Sequence, residues 1–202
     1  MTVSPCGDAT AADWLRDDPQ PWHRLVTLGP AGFEAYARVR FIPDPTGPRQ
    51  SEGDVPHDPG PDAPSERQQL DTVLGVLAAR TGTPARCVFA VWDGWGTDPV
   101  HPGAELDLPN RRFFLFEGAA TDLPAHEQWA RVLRPPHGSP DPGPRPDPAF
   151  VWPADRAWCV TKDVDAHYAG IGGTRAAITD LLAHPRLDVV PADPSQDQPA
   201  YL

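Results

Sequence analysis

The stretch that decides the fold is CVFAVW, residues 87–92. It is a continuous apolar run between Pro84 and Gly94, which is typical of a short strand buried on both faces of a sheet. A second run with strand character, RFFLFE at residues 112–117, follows after a connection that contains WDGWG. We therefore expect these two strands to be neighbours at the centre of the fold.

Three further segments have strand character. Residues 36–42, YARVRFI, alternate apolar and polar side chains, which predicts a half-buried strand. Residues 156–164, RAWCVTKDV, predict another strand, and residues 187–190 predict a short returning one.

Two segments have the spacing of principal helices. Ser65 and Gln68 form a capping box, and the apolar residues after them recur at helical spacing until Gly82. Residues 174–183, TRAAITDLLA, predict a second helix whose Ile178, Leu181 and Leu182 face inward. Shorter helical turns are predicted at 13–15 and 128–133. The element order predicts an α+β fold, with a mainly antiparallel sheet and two principal helices packed on it.

The chain is expected to form a single domain over residues 1–202. Two proline-rich stretches, 43–64 and 135–148, interrupt it. Proline lacks a backbone donor and pushes the preceding residue out of the helical region. We therefore expect two exposed loops, and a flexible tail over residues 192–202.

Charge and composition exclude several classes of protein. The chain has 28 acidic and 17 basic residues, a net charge of −11, and much of the excess acid lies in the proline-rich loops and the tail. No basic stripe suits nucleic acid, and no apolar run approaches the roughly 20 residues that span a bilayer. The N-terminal residues lack a signal-peptide pattern, so a cytoplasmic location is expected. Cys6, Cys87 and Cys159 are too few and too scattered for a disulfide framework, which predicts reduced thiols.

The segment DVDAH, residues 163–167, is a candidate metal site. If the preceding strand continues through it, Asp163, Asp165 and His167 share one face. Two carboxylates and an imidazole would suit a divalent cation. The alternative is that the two aspartates only mark the end of a strand, in which case no cofactor is needed.

The next segment, AGIGGTR, is a candidate anion site. Gly170, Gly172 and Gly173 allow backbone N–H groups to converge before the last helix, with Thr174 and Arg175 beside them. The segment matches neither the dinucleotide fingerprint nor the P-loop. The alternative is a tight turn in which Thr174 caps the helix.

Tryptophan is abundant, with seven residues, and WDGWG places Trp92, Asp93 and Trp95 directly after the central strand. Such rings can stack on a ligand or on a partner's side chain. The alternative is that the rings are large pieces of the core. No segment carries a complete catalytic set: GxSxG is absent, and His126-Glu127 is not followed by the second histidine of HExxH.

Residues 152–161, WPADRAWCVT, followed by DVD and GIGGT, resemble a bacterial protein family of unknown function with WDGWG and WPxDRAW motifs. The general layout of aromatic-rich strands and a late short helix is also similar to SMI1/KNR4-like (SUKH) domains. That likeness implies an interaction or immunity function and transfers no site residues.

Two functions are consistent with these patterns. The first is a non-enzymatic binding domain that takes a protein partner on a surface around Trp92 and Trp95. The second is an enzyme or small-ligand binder that holds a cation on DVDAH and a small anionic ligand on GIGGT.

Overall fold

The computed structural model describes residues 3–55, 60, 63–123, 131–134 and 147–202. Within these residues the fold is α+β, as predicted, and it is built on an antiparallel sheet of nine strands. The strands are β1 (Ser4–Pro5), β2 (Ala35–Arg40), β3 (Cys87–Trp92), β4 (Asp98–Pro99), β5 (Glu105–Leu108), β6 (Arg111–Gly118), β7 (Leu133–Arg134), β8 (Phe150–Pro153), β9 (Trp158–Thr161), β10 (Tyr168–Gly173) and β11 (Val189–Ala192). The helices are α1 (Asp13–Arg16), α2 (Trp22–Leu28), α3 (Glu66–Ala78) and α4 (Arg175–Leu182).

Strand β3 lies in the interior of the sheet, as its apolar run predicts. The strand order is β1-β6-β3-β8-β9-β10-β2-β11, and β5 also pairs with β6, on the edge opposite β3. Strands β3 and β6 pair antiparallel with Phe89 opposite Phe116, so the predicted neighbours are confirmed. The small strands β4 and β7 pair with each other apart from this sheet.

Helices cover both faces of the sheet. Leu74 of α3 and Ile178 of α4 belong to one buried cluster, together with Phe89 of β3. Leu15 of α1 and Leu25 of α2 belong to a second cluster, which contains the alternate β3 side chains. The two principal helices therefore share one face, and the two short helices cover the other. This two-sided burial is the reason that β3 carries no polar residue.

The predicted burial of two elements is wrong. Leu182 of α4 is 40% exposed, because Ile178 and Leu181 already form the inward stripe and Leu182 lies beside it. Strand β2 is buried on both faces rather than on one, and Arg38 is only 5% exposed. Strands β10 and β11 flank β2, and Asp44 supplies a counterion for Arg38 from the loop that follows the strand.

The described parts of the loops and the tail make specific contacts. In the first proline-rich stretch, Asp44 pairs with Arg38 at 2.6 Å. Near the C-terminus, the Tyr201 hydroxyl donates a hydrogen bond to the carbonyl of Pro43, and Asp197 pairs with Arg24 at 2.8 Å. Most of the second stretch, residues 135–146, and most of the helical turn predicted at 128–133 lie outside the described residues. In the described parts of the chain, none of the helices has the length and the apolar composition of a membrane span.

Candidate functional site

The WDGWG segment forms a compact corner at the end of β3. Asp93–Trp95 is a 3-10 turn, and Gly96 ends it with a φ of 71°, in the left-handed region that favours glycine. A Cβ on Gly94 would lie 2.1 Å from the Trp92 ring, so the ring lies directly against this glycine. The indoles of Trp92 and Trp95 meet edge to face at 6.2 Å, and each is partly exposed.

Arg111, the first residue of β6, holds this corner against the rest of the molecule. Its guanidinium lies 4.6 Å from the ring centre of Trp92 and 5.8 Å from that of Trp22 on α2. It also pairs with Asp163 at 3.4 Å. The side chains of Arg111 and Asp163 are only 16% and 12% exposed, so the contact with the ring faces is largely shielded from water. We name Trp22, Trp92, Trp95 and Arg111 the tryptophan surface.

A small cavity of about 70 Å³ lies beside the two indoles of the corner. Its lining includes Trp92, Trp95 and Asp163, together with Asp147 and Lys162. The charged groups already have partners: Asp147 pairs with an arginine of α3 and Lys162 with a glutamate of α3, each at 3.1 Å. The charged groups that line this cavity are therefore paired within the chain, whereas the indoles of Trp92 and Trp95 are partly exposed.

The three residues of the candidate metal site do not come together. The strand that was predicted to run through residue 164 ends at Thr161, and the chain then turns at Val164 and Asp165. The alternation that would align the three side chains does not apply in a turn. Asp163 and Asp165 instead lie 3.4 and 3.7 Å from Arg111, and Asp165 is 84% exposed. Among the described residues, no group of three or more metal-ligating side chains is found.

His167 belongs to a different cluster, on the far side of the turn. Its side chain is 1% exposed, and its Nε2 lies 3.0 Å from the carboxylate of Asp44. The same carboxylate accepts hydrogen bonds from Arg38 at 2.6 and 3.0 Å and from Arg40 at 3.2 Å. Burial raises the pKa of Asp44, but the bonds from Arg38 and His167 outweigh it and hold that pKa well below its ordinary value.

The glycines of the candidate anion site lie in strand β10 and not in a turn. Tyr168–Gly173 is a fully buried strand, paired with β9 and β2. A Cβ on Gly170 would lie 2.3 Å from the carbonyl oxygen of Thr27, and one on Gly172 would lie 2.3 Å from the ring of Phe33. These glycines therefore allow α2 and the loop after it to pack closely on the sheet.

The start of helix α4 is satisfied within the chain. Thr174 accepts a hydrogen bond from the N–H of Ala177 at 3.2 Å, so it is the N-cap that the alternative interpretation predicted. The N–H of Arg175 donates to the carboxylate of Glu34 at 3.0 Å. Glu34 thus occupies the place that an anionic ligand would take.

The three cysteines are free and buried. Cys6 follows β1, and its N–H donates to the carbonyl of Leu115 at 2.9 Å. Burial, and then the charges of Glu117 and Asp8, raises the pKa of Cys6 to about 12. Burial also raises the pKa of Cys87 to about 12. Such thiols are poor nucleophiles.

The sequence pointed to only part of the tryptophan surface. It placed Trp92, Asp93 and Trp95 directly after the central strand, where Asp93 pairs with Arg112 at 2.9 Å. It missed Arg111 and Trp22, which adjoin Trp92 only because α2 packs on the sheet. The abundance of tryptophan was the one signal that pointed to Trp22.

Comparison with protein-family models, with curated proteins and with solved structures finds no match for this chain.

Proposed function

We propose that this protein is a binding domain that takes a protein partner on the tryptophan surface. The observation that carries the proposal is the arrangement of Trp92 and Trp95, two partly exposed indoles fixed at an angle by Gly94 and Arg111. Tryptophan and arginine are the residues most enriched among those that dominate the binding energy of protein interfaces. Rings that are already held rigidly lose little conformational entropy on binding.

The position of the surface on the fold supports the same function. Trp92 ends a strand in the interior of the sheet, Arg111 begins the neighbouring strand, and Trp22 begins helix α2. Groups carried by regular elements keep their geometry better than groups carried by loops alone. The cavity beside the indoles has room for the end of one side chain, and its charged groups are already paired. An aromatic or aliphatic side chain of the partner would therefore fit there without leaving a charged group buried and unpaired.

An interaction function is also what the resemblance to SMI1/KNR4-like domains implies, and that resemblance stays a prediction. The other sequence hypothesis, a cation on Asp163, Asp165 and His167 or an anion on the GIGGT glycines, has no observation of geometry in its favour.

Photo-crosslinking tests the proposal directly. Asp165, which is 84% exposed and neighbours Arg111, is replaced by p-benzoylphenylalanine, and the protein is irradiated in the cells that express it. Leu182, exposed on the helix of the opposite face, receives the same probe as a matched control. We expect a discrete adduct from position 165 and none of the same mass from position 182.

The contribution of the Trp95 indole to binding is then measured. With the partner identified and purified, Trp95→Ala is expected to weaken binding at least tenfold, whereas Leu182→Ala leaves it unchanged. Equal melting temperatures of the two variants would exclude a folding defect as the cause. Crosslinks of equal yield from both positions, or an unchanged affinity of Trp95→Ala, would refute the proposal.

A further inference from the structure

A second and larger cavity, of about 410 Å³, lies away from the tryptophan surface, on the sheet face that α1 covers. Its floor includes Val88 of β3 and Trp152 of β8, which lie opposite each other in adjacent strands. Part of its wall is the segment between β1 and α1, including Asp8 and Thr10. The volume lies within the range of small-molecule sites. We name it the arginine cavity, after the two arginines that line it.

Arg86 and Arg156 line the arginine cavity from the N-terminal end of β3 and from the hairpin between β8 and β9. Arg86 directly precedes β3. Its carbonyl accepts a hydrogen bond from the N–H of Ala154 at 2.8 Å, and this bond holds the β8–β9 hairpin, which carries Arg156, next to Arg86. In the part of the chain that the structure describes, no carboxylate lies within 4.0 Å of either guanidinium. Arg86 and Arg156 thus have no acidic partner there, although the chain has 28 acidic residues and only 17 basic ones.

The backbone of Arg156 is in an unusual conformation. Its φ is 55°, in the left-handed region, where a turn would be more stable with glycine. The guanidinium lies 5.3 Å from the ring centre of Trp14, a contact that fixes the arginine over this face. The chain therefore tolerates a strained residue at a place where the side chain lines the cavity.

Two carboxylates line the cavity from β6 and from the segment after β1. Glu117 is on β6, opposite Val88, so the strand β3 separates it from β8. Asp8 follows β1, which pairs with β6 on its outer side. Hydrogen bonds from the hydroxyl and the N–H of Thr10 lower the pKa of Asp8, so that carboxylate is charged at neutral pH.

We propose that the arginine cavity binds a small zwitterion of the α-amino acid type. The ligand carboxylate pairs with Arg86 and Arg156, because guanidinium groups match carboxylates with charge-assisted hydrogen bonds. The ligand ammonium pairs with Asp8 and Glu117 on the β6 side. Two cations from the N-terminal end of β3 and the β8–β9 hairpin and two anions from β6 and the segment after β1 leave the cavity neutral, so a ligand with a single charge would leave one pair unmatched.

The test is thermal unfolding of the full chain with each of the twenty common L-amino acids at 10 mM. A ligand that binds only the folded state raises the melting temperature. We expect at least one amino acid to raise it. The N-acetyl derivative of that amino acid, which lacks the ammonium, and its methyl ester, which lacks the carboxylate, should each bind at least tenfold more weakly.

Two variants locate the site. Arg86→Gln and Arg156→Gly are each expected to lower the affinity at least tenfold, since each removes a charged donor. Arg156→Gly suits the left-handed φ, so it should fold normally, which separates binding from folding. Arg175→Gln, at an exposed position of α4, is the matched control and should bind as the wild type does. No shift with any of the twenty amino acids, equal binding of either blocked derivative, or unchanged binding by both variants would overturn the proposal.

Discussion

Replacing Asp44 with asparagine tests whether charge holds the loop after β2 to the sheet. The carboxylate accepts hydrogen bonds from Arg38 at 2.6 and 3.0 Å and from Arg40 at 3.2 Å, and it lies 3.0 Å from Nε2 of His167. Arg38 is only 5% exposed. The substitution keeps the size of the side chain but leaves the buried guanidinium of Arg38 without its bidentate counterion.

Removing one partner of a buried ion pair costs about 3–5 kcal/mol. The side chain of Asp44 is 23% exposed, so water partly replaces it, and we expect a loss near the lower end, about 3 kcal/mol. For a chain of this size that loss lowers the melting temperature by roughly 6–12 °C. Urea unfolding followed by circular dichroism gives the free energy of unfolding, and a thermal scan gives the melting temperature.

The pH dependence gives the same substitution a second readout. The pKa of Asp44 in the folded protein lies well below its ordinary value. A group whose folded pKa is lowered contributes stability that is complete above its unfolded pKa, about 4, and is lost as the pH falls below it. The stability difference between the wild type and Asp44→Asn should therefore be constant near neutral pH and shrink below about pH 4.

The matched control is Asp180→Asn, which removes the partner of Arg80 in an exposed pair with both side chains 39% exposed. Exposed pairs contribute about 0–1 kcal/mol. If Asp44→Asn costs no more than Asp180→Asn, burial does not strengthen the Asp44 ion pair. A stability difference that stays unchanged down to pH 2 would show that charge is not the cause.

Three further predictions concern packing, capping and thiol chemistry. Gly170→Ala should destabilise the protein by about 3 kcal/mol or more, since its Cβ would lie 2.3 Å from a backbone oxygen. Gly75→Ala on α3, where a Cβ meets nothing within 4 Å, should instead stabilise it by about 1 kcal/mol. Urea unfolding that gives both changes the same sign would contradict this. Thr174→Ala should cost about 1 kcal/mol in the same assay through the lost N-cap of α4, and Thr174→Ser should restore most of it. With pKa values raised to about 12, Cys6 and Cys87 should not react with Ellman's reagent at pH 8 until urea unfolds the chain, and fast labelling of the native protein would contradict their burial.

The principal elements followed from local pattern. The apolar run at 87–92 predicted a buried strand, and the capping box of Ser65 and Gln68 predicted the start of α3, which begins at Glu66. Such signals reside in neighbouring residues, so they can be read without knowing the fold. The prediction that β2 is half buried was wrong, because its burial depends on a residue outside the strand. Arg38 became buried because Asp44, six residues later, folds back over it.

The candidate sites show the same division. The sequence placed Asp163, Asp165 and His167 on one face by assuming a continuous strand, but a turn at Val164 sends the aspartates to Arg111 and the histidine to Asp44. Gly170 and Gly172 suggested an anion-binding turn, because glycine serves both in such turns and where two elements pack closely. Whether a glycine binds an anion or admits a neighbouring helix depends on what packs against it.

By itself, the sequence determined the α+β class, the interior strand, the two principal helices and the position of Trp92 and Trp95 directly after that strand. These depend on periodicity, capping and turn chemistry, which act over a few residues. Only the tertiary structure decided that Arg111 lies beside Trp22 and Trp92, and that Arg86 and Arg156 line one cavity. Those neighbours come from distant parts of the chain, and the antiparallel order of the strands, together with helices on both faces, brings them together.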